Sequence, residues 1–237
     1  MYSEISKIYD VLFPLNINKL KFIDNFNKYK GKILDAGCAS GELSITLSKN
    51  GYDVTGIDID NSMIETAESK SGNNKIKFIA GSISKISSLA AGNNFDMILC
   101  WGNTLPHLEN EDEIKKFISG SYSLLNQRGV ISVQLMNYEK IINDRIKNLP
   151  VKETTEFIFK REYEFLENGY IKFITEIYIK NSGKTIKDFS LHYPLKQPDL
   201  IKLLTETGFS GIKNYSDFNF SEFSGNEISY IINATKL

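Results

Sequence analysis

Apolar positions near the start of the chain recur at one spacing and then switch to two. Between about Asn16 and Tyr29, residues Ile17, Leu20, Phe22, Ile23 and Phe26 recur at helical spacing and predict a helix leading into the first strand. From Lys32 onward, short apolar runs alternate with amphipathic ones. They predict strands at Lys32–Asp35, Asp53–Ile57, Ile76–Ile79, Phe95–Cys100 and Val130–Met136. Helical patterns lie between them at Gly41–Lys49, Ser62–Lys70 and Glu111–Leu125. Strand and helix in alternation imply an α/β fold, a doubly wound, mostly parallel sheet with helices on both faces.

The texture changes after Asn137. Glu156–Leu166 and Tyr170–Lys180 are rich in aromatic and β-branched residues and are joined through Asn168-Gly169, a hairpin signal. Ser182-Gly183 turns the chain into a third run, Thr185–Tyr193. Period-two alternation puts Phe157, Phe159, Tyr163 and Phe165 on one face of the first arm, and Ile171, Phe173, Ile177 and Ile179 on one face of the second. An antiparallel sheet packed on the main body is expected. A helix follows at Gln197–Thr207, with Pro198 in its first turn and Gly208 at its end, and two strands close the chain near Gly211–Tyr215 and Glu227–Ala234. The expected division is a helical cap over residues 1–31, a core from 32–150 and 194–237, and a β insertion at 151–193. That insertion would serve as a substrate lid or a dimer contact.

Composition adds exclusions. With 237 residues, 41% of them hydrophobic, the chain can bury a full core. Its net charge of −1 (Lys+Arg 28 against Asp+Glu 29) gives no footprint for nucleic acid. No signal-peptide pattern and no membrane-length apolar run are visible, so a cytoplasmic protein without a membrane partner is expected. Cys38 and Cys100 read as buried free thiols, and with His107 and His192 the only histidines, no metal centre is expected.

The chemistry concentrates in Ile33-Leu34-Asp35-Ala36-Gly37-Cys38-Ala39-Ser40-Gly41-Glu42-Leu43. A strand ends in an acid, passes through a small-residue turn and opens a helix, letting backbone N–H groups approach a ligand. The second strand delivers Asp58, placed to receive the two hydroxyls of a ribose. Together they point to a nucleoside-containing ligand at the carboxyl edge of the sheet.

The order of these motifs resembles the class I S-adenosylmethionine-dependent methyltransferases, most strongly between Lys32 and Leu135. That resemblance implies a Rossmann-like sheet of seven strands and S-adenosylmethionine as cofactor, with S-adenosylhomocysteine as product. The family's acid-x-Gly-x-Gly-x-Gly turn reads Asp35-Ala36-Gly37-Cys38-Ala39-Ser40-Gly41 here, and Ala39 at the middle glycine is tolerable if its φ is negative. The resemblance has the turn wrap the methionine part, with Asp35 holding its geometry. Asp58 would take the ribose, and Ile59 and Met63 would pack on adenine, although Met63 fits core packing equally well. Asp60 reads as a helix cap. Gly81-Ser82-Ile83 stands where relatives carry an acid for the adenine amino group, leaving Ser82 and nearby backbone for that role.

Cys100-Trp101-Gly102-Asn103-Thr104-Leu105-Pro106-His107-Leu108 is similar to the loop of glycine- and amino-sugar-type N-methyltransferases, which carry Gly-Asn followed by His-Leu. It would border both the methionine portion and the acceptor. Tyr2 and Tyr9 match an N-terminal segment that folds over the cofactor in such enzymes. The implied activity is methyl transfer to a small molecule, at an amine nitrogen, by in-line displacement. Methyl transfer of this kind needs alignment more than acid–base help. His107 is the candidate base and Asn103 a candidate for orienting the acceptor, with His192 ranked below His107. The alternative for His107 is a loop histidine simply satisfied by hydrogen bonds, and for Asn103 a residue that only caps the turn. The chain is expected to act as a monomer or homodimer. Alternatives are a catalytically silent cofactor-binding module, an O-methyltransferase, and a nicotinamide-dependent oxidoreductase, whose glycine spacing differs. Methylation of RNA or protein would call for a basic or extended surface that composition does not suggest.

Overall fold

The computed structural model describes residues 8–27, 29–72 and 76–237; Tyr2 lies outside them. A helical turn, α1 (Tyr9–Leu12), and helix α2 (Asn18–Phe26) precede the alternating region. It runs β1 (Lys32–Ala36), α3 (Glu42–Lys49), β2 (Asp53–Asp58), α4 (Asn61–Ser71), β3 (Ile76–Ala80), α5 (Ile86–Leu89), β4 (Phe95–Cys100), α6 (Glu111–Leu124) and β5 (Leu125–Met136). Helix α7 (Tyr138–Asn143) leads to strands β6 (Lys152–Glu153), β7 (Phe157–Phe165), β8 (Ile171–Ile179) and β9 (Lys184–His192). The chain closes with α8 (Gln197–Thr207), β10 (Phe209–Tyr215) and β11 (Ser229–Lys236).

Seven strands form one sheet in the order β10-β11-β5-β4-β1-β2-β3. Strands β1 to β5 pair in parallel, while β11 runs antiparallel to β5 and β10 antiparallel to β11. Strand order therefore reverses between β1 and β4, the point at which open α/β sheets bind ligands. Asp35 aligns with Gly56 of β2 and with Leu99 of β4, so these three strands end together at that crevice.

Alternation along the strands divides the core. Leu34, Ile57, Ile98 and Cys100 meet Ile86 of α5, Phe117 of α6 and Leu200 of α8. On the opposite face Ile33, Val54, Met97 and Leu99 meet Phe22 and Ile23 of α2 and Leu47 of α3. Burial of these apolar side chains stabilises the layers by roughly 1.5–3 kcal/mol each.

The second sheet has four antiparallel strands in the order β6-β7-β8-β9. The three-run expectation missed β6, a two-residue strand whose Lys152 and Glu153 pair with Phe159 and Ile158. Gly169, at φ 84, makes the β7–β8 turn in a conformation that suits glycine. Phe157, Phe159 and Tyr163 are buried as their shared face requires, whereas Phe165 at the strand end is 37% exposed. Two further elements carried too few residues for periodicity to register. One is α5; the other is α7, whose cap is Asn137, its Oδ1 accepting the Lys140 N–H at 3.2 Å.

Candidate active site

The chain leaves β1 and turns through Gly37–Gly41 into α3, held against β2. Gly37 and Cys38 donate their N–H groups to the Ile57 carbonyl at 2.7 and 3.0 Å. Gly37 has φ 85, and a Cβ there would lie 2.5 Å from the Thr104 side chain. Gly41 has φ 77, and its Cβ would lie 2.7 Å from that of Ala67. Both positions exclude a side chain on conformation and on space. Ala39 corrects an expectation: its φ is +47, in the left-handed region, not negative. Its N–H donates to Asp58 Oδ2 at 2.8 Å, and it packs against the cluster of Leu12, Met63 and Phe157, two contacts that offset a backbone cost of about 1 kcal/mol.

Asp58 also accepts the Asp60 N–H at 3.0 Å through Oδ1, so each oxygen has one bond and a spare lone pair. Burial raises its pKa, with those backbone bonds opposing. Asp35, 4% exposed, accepts the Ser44 hydroxyl at 2.7 Å. Desolvation pushes its pKa up to about 6, against the Ser44 bond and the Lys19 cation. Lys19 sits 5.4 Å from the Phe218 ring and 5.7 Å from the Trp101 ring, and burial lowers its pKa.

The loop after β4 forms the next wall. Trp101, 4% exposed, donates its indole N–H to Ser132 Oγ at 2.9 Å. Asn103, at φ 66, accepts the Met136 N–H at 2.9 Å and donates Nδ2 to the Tyr138 hydroxyl at 3.0 Å. The same hydroxyl is hydrogen-bonded to His192 Nδ1, 3.0 Å away. His192 Nε2 is hydrogen-bonded to Ser190 Oγ at 3.2 Å. His107 lies in a single 3-10 turn, Leu105–His107, with its ring centroid 4.3 Å from that of His192. Desolvation lowers the pKa of both histidines, and the proximity of His107 lowers that of His192 further. Both rings are therefore neutral near pH 7.

These walls enclose a cavity of about 640 Å³, within the range of roughly 300–1,000 Å³ of small-molecule sites. Tyr9, Asp35, Gly37, Cys38, Ala39, Trp101, Asn103 and His107 line it, with Phe159, Arg161, Tyr163, Thr175, Ser190 and His192 of the second sheet as its roof. Other residues singled out from the sequence, Asp58 among them, lie outside its lining. Gly41 and Met63 are buried, Met63 beside Leu12, Phe157 and Phe159. Cys100 and Ile83 belong to the core, and burial raises the Cys100 pKa as it does that of Cys38. Ile59 is 72% exposed. Gly81 donates its N–H to the Asp58 carbonyl at 2.8 Å, and Ser82 exchanges hydrogen bonds with Ser84. Asp60 caps α4, its Oδ1 accepting the N–H groups of Ser62 and Met63 at 2.8 and 3.1 Å.

Sequence reasoning passed over Lys19, Tyr138, Lys152, Arg161 and Ser190. Alternation on the insertion carried part of the signal, because Arg161 shares its face with Phe159 and Tyr163. Lys19, by contrast, stands in an amphipathic helix as any solvated lysine would.

A methyltransferase domain model matches residues 33–129, the span from β1 to just inside β5. A glycine/sarcosine N-methyltransferase from Aphanothece halophytica is 27% identical over 199 residues, covering 83% of this chain and 73% of that protein. A ubiquinone biosynthesis O-methyltransferase from Coxiella burnetii (strain Dugway 5J108-111) is 28% identical over 201 residues, covering 77% of this chain and 83% of that one. The crystal structure of an S-adenosylmethionine-dependent methyltransferase from Clostridium acetobutylicum ATCC 824 superposes with a TM-score of 0.84 at 18% identity, covering 99% and 98% of the two chains. With the reversed strand order at β1 and β4 and the glycine turn beside Asp58, these likenesses support a class I S-adenosylmethionine-dependent methyltransferase.

Proposed function

We propose that this enzyme transfers a methyl group from S-adenosylmethionine to the nitrogen of a small-molecule amine held under the second sheet. The observation that carries this reading is the cavity itself, which joins the turn after β1 to the loop after β4 beneath an antiparallel roof. When bound, S-adenosylmethionine supplies a methyl group activated by its sulfonium. Ala39 and Asp58, tied at 2.8 Å, would hold the ribose end, with both carboxylate oxygens retaining acceptor capacity. Asp35 and Lys19, of opposite charge, face the cavity where the zwitterionic methionine end would lie.

The chain's task in such a displacement is to align the acceptor and exclude water. Aromatic side chains of the roof and the N-terminal segment, among them Phe13, Phe159 and Phe173, do the second. His107, neutral near pH 7, can accept a proton from an acceptor that arrives as its ammonium. Asn103 spends both ends of its amide on Met136 and Tyr138, so its role is to hold the loop and the Tyr138 hydroxyl. The relatives act on both nitrogen and oxygen. Nitrogen is favoured here by the resemblance of the Gly102-Asn103 and His107-Leu108 pairs and by the lowered His107 pKa, which makes a weak base for a hydroxyl.

A transfer assay with methyl-labelled S-adenosylmethionine against paired primary amines and alcohols tests the assignment. Label is expected in the amines. Label in the alcohols alone would overturn the nitrogen reading and leave the methyltransferase standing.

A further inference from the structure

We propose that Arg161, with Lys152 beside it, forms a subsite for an oxyanion, a carboxylate or a phosphate, carried by the methyl acceptor. The inference rests on the cavity being the acceptor site, and it adds the chemical class of what enters.

Register places Arg161 in a row with Thr175 and Asp188 across β7, β8 and β9, all three lining the cavity. The neighbouring rows on that face are apolar or weakly polar: Phe159, Ile177 and Ile186 on one side, Tyr163, Phe173 and Ser190 on the other. The guanidinium lies 5.3 Å from the Phe159 ring centroid. Among the described residues, its side-chain hydrogen bond is from Nη2 to the Pro150 carbonyl at 2.8 Å, and its buried Nε has no acceptor. Lys152 donates to the Leu12 carbonyl at 3.0 Å and sits 4.3 Å from the Phe13 ring centroid.

Among the described residues, no carboxylate comes within ion-pair distance of Arg161 or Lys152. The cavity's other acids are committed elsewhere. Asp10 pairs with Lys70, Glu42 lies 3.4 Å from Lys70, Asp35 accepts from Ser44, and Asp188 Oδ1 accepts the Phe189 N–H at 2.6 Å. Two cations thus share an apolar wall with no ion-pair partner among the described residues, and burial together with Arg161 depresses the Lys152 pKa. Leaving charged groups partly desolvated and unpaired is unfavourable, and a planar guanidinium is relieved best by an oxyanion that accepts from two of its N–H groups. Tying down the Pro150 segment needs only one of those groups.

The test is calorimetric titration of the protein with sodium acetate and with inorganic phosphate, at constant ionic strength, with and without saturating S-adenosylhomocysteine. Wild type, Arg161→Gln, Arg161→Lys and Lys152→Gln are compared after their folding is confirmed by circular dichroism. Saturable binding of at least one anion is expected, weakened about tenfold or more in Arg161→Gln and several-fold in Lys152→Gln, with Arg161→Lys between wild type and Arg161→Gln. Tighter acetate binding assigns a carboxylate and tighter phosphate binding a phosphorylated acceptor. No saturable binding, or equal affinity in wild type and variants, overturns the subsite. If Arg161→Gln fails to fold, Arg161→Lys and Lys152→Gln carry the comparison. S-adenosylhomocysteine affinity separates the two readings: its absence with Arg161-dependent anion binding defeats the cofactor assignment and leaves the subsite. Retention of that affinity within about twofold, with no anion effect, does the reverse.

Discussion

Asp35, Ala39 and Asp58 each trade stability against a place in the turn, and each gives a measurable consequence. Asp35 has a folded-state pKa of about 6 against an ordinary 3.8, so between those values the folded protein binds more protons than the unfolded. Stability contributed by this group is complete below about pH 4 and is lost as pH rises through about 6. The loss amounts to about 3 kcal/mol. Asp35→Asn should therefore stabilise the ligand-free protein at pH 7 by up to that amount and have little effect at pH 4, read by denaturant unfolding at the two values. Equal stabilisation at both would contradict the account. Ala39→Gly should stabilise by roughly 0.5–1 kcal/mol, because glycine takes φ +47 without the Cβ clash; a destabilised variant would show that the methyl's packing outweighs the strain. Asp58→Ala removes the carboxylate that accepts from Ala39 and Asp60, and should weaken S-adenosylmethionine binding by about 10- to 100-fold in a folded protein. Unchanged affinity would remove the ribose role.

Three separate elements meet through one chain of hydrogen bonds: Asn103 after β4, Tyr138 at the start of α7, and His192 at the end of β9. Tyr138→Phe keeps the ring but strands the Asn103 amide and His192 Nδ1 in a buried setting, at a cost of about 1–3 kcal/mol. A change in unfolding free energy under about 0.3 kcal/mol would show that the chain does not couple the roof to the sheet. The sequence made β1 to β5, α3, α4, α6 and α8 legible because burial there follows a regular period over enough residues to be counted. It hid α5, α7 and β6, which are held by tertiary contact and by caps such as Asn137. The site divides the same way. Asp35 and Gly37 to Ser40, which line the cavity, fall inside one local motif visible in the sequence. Lys19, Lys152, Arg161 and Ser190 reach the cavity from distant segments, and only the folded chain brings them together. Ile59 and Met63, which the resemblance placed on adenine, lie outside the cavity lining, the first exposed and the second packed under the N-terminal segment.

The assembled protein places opposing titrations around one cavity. His107 and His192, with pKa values lowered by desolvation, bind fewer protons folded than unfolded below about pH 6.5. Stability they contribute at neutral pH is lost as pH falls past that value, while Asp35 gains stability over the lower part of the same interval. In wild type the two trends offset each other; in Asp35→Asn the histidine trend should emerge as a steeper loss of stability between about pH 6.5 and 4. The same cavity is the basis of the functional reading, since it unites the glycine turn, the Asn103 loop and the roof. Calorimetric titration of the purified protein with S-adenosylmethionine, with NAD as the comparison ligand, tests that reading most directly. Saturable binding of S-adenosylmethionine at one site, without saturable binding of NAD, is the expected result. Binding of NAD alone, or of neither ligand, would contradict it.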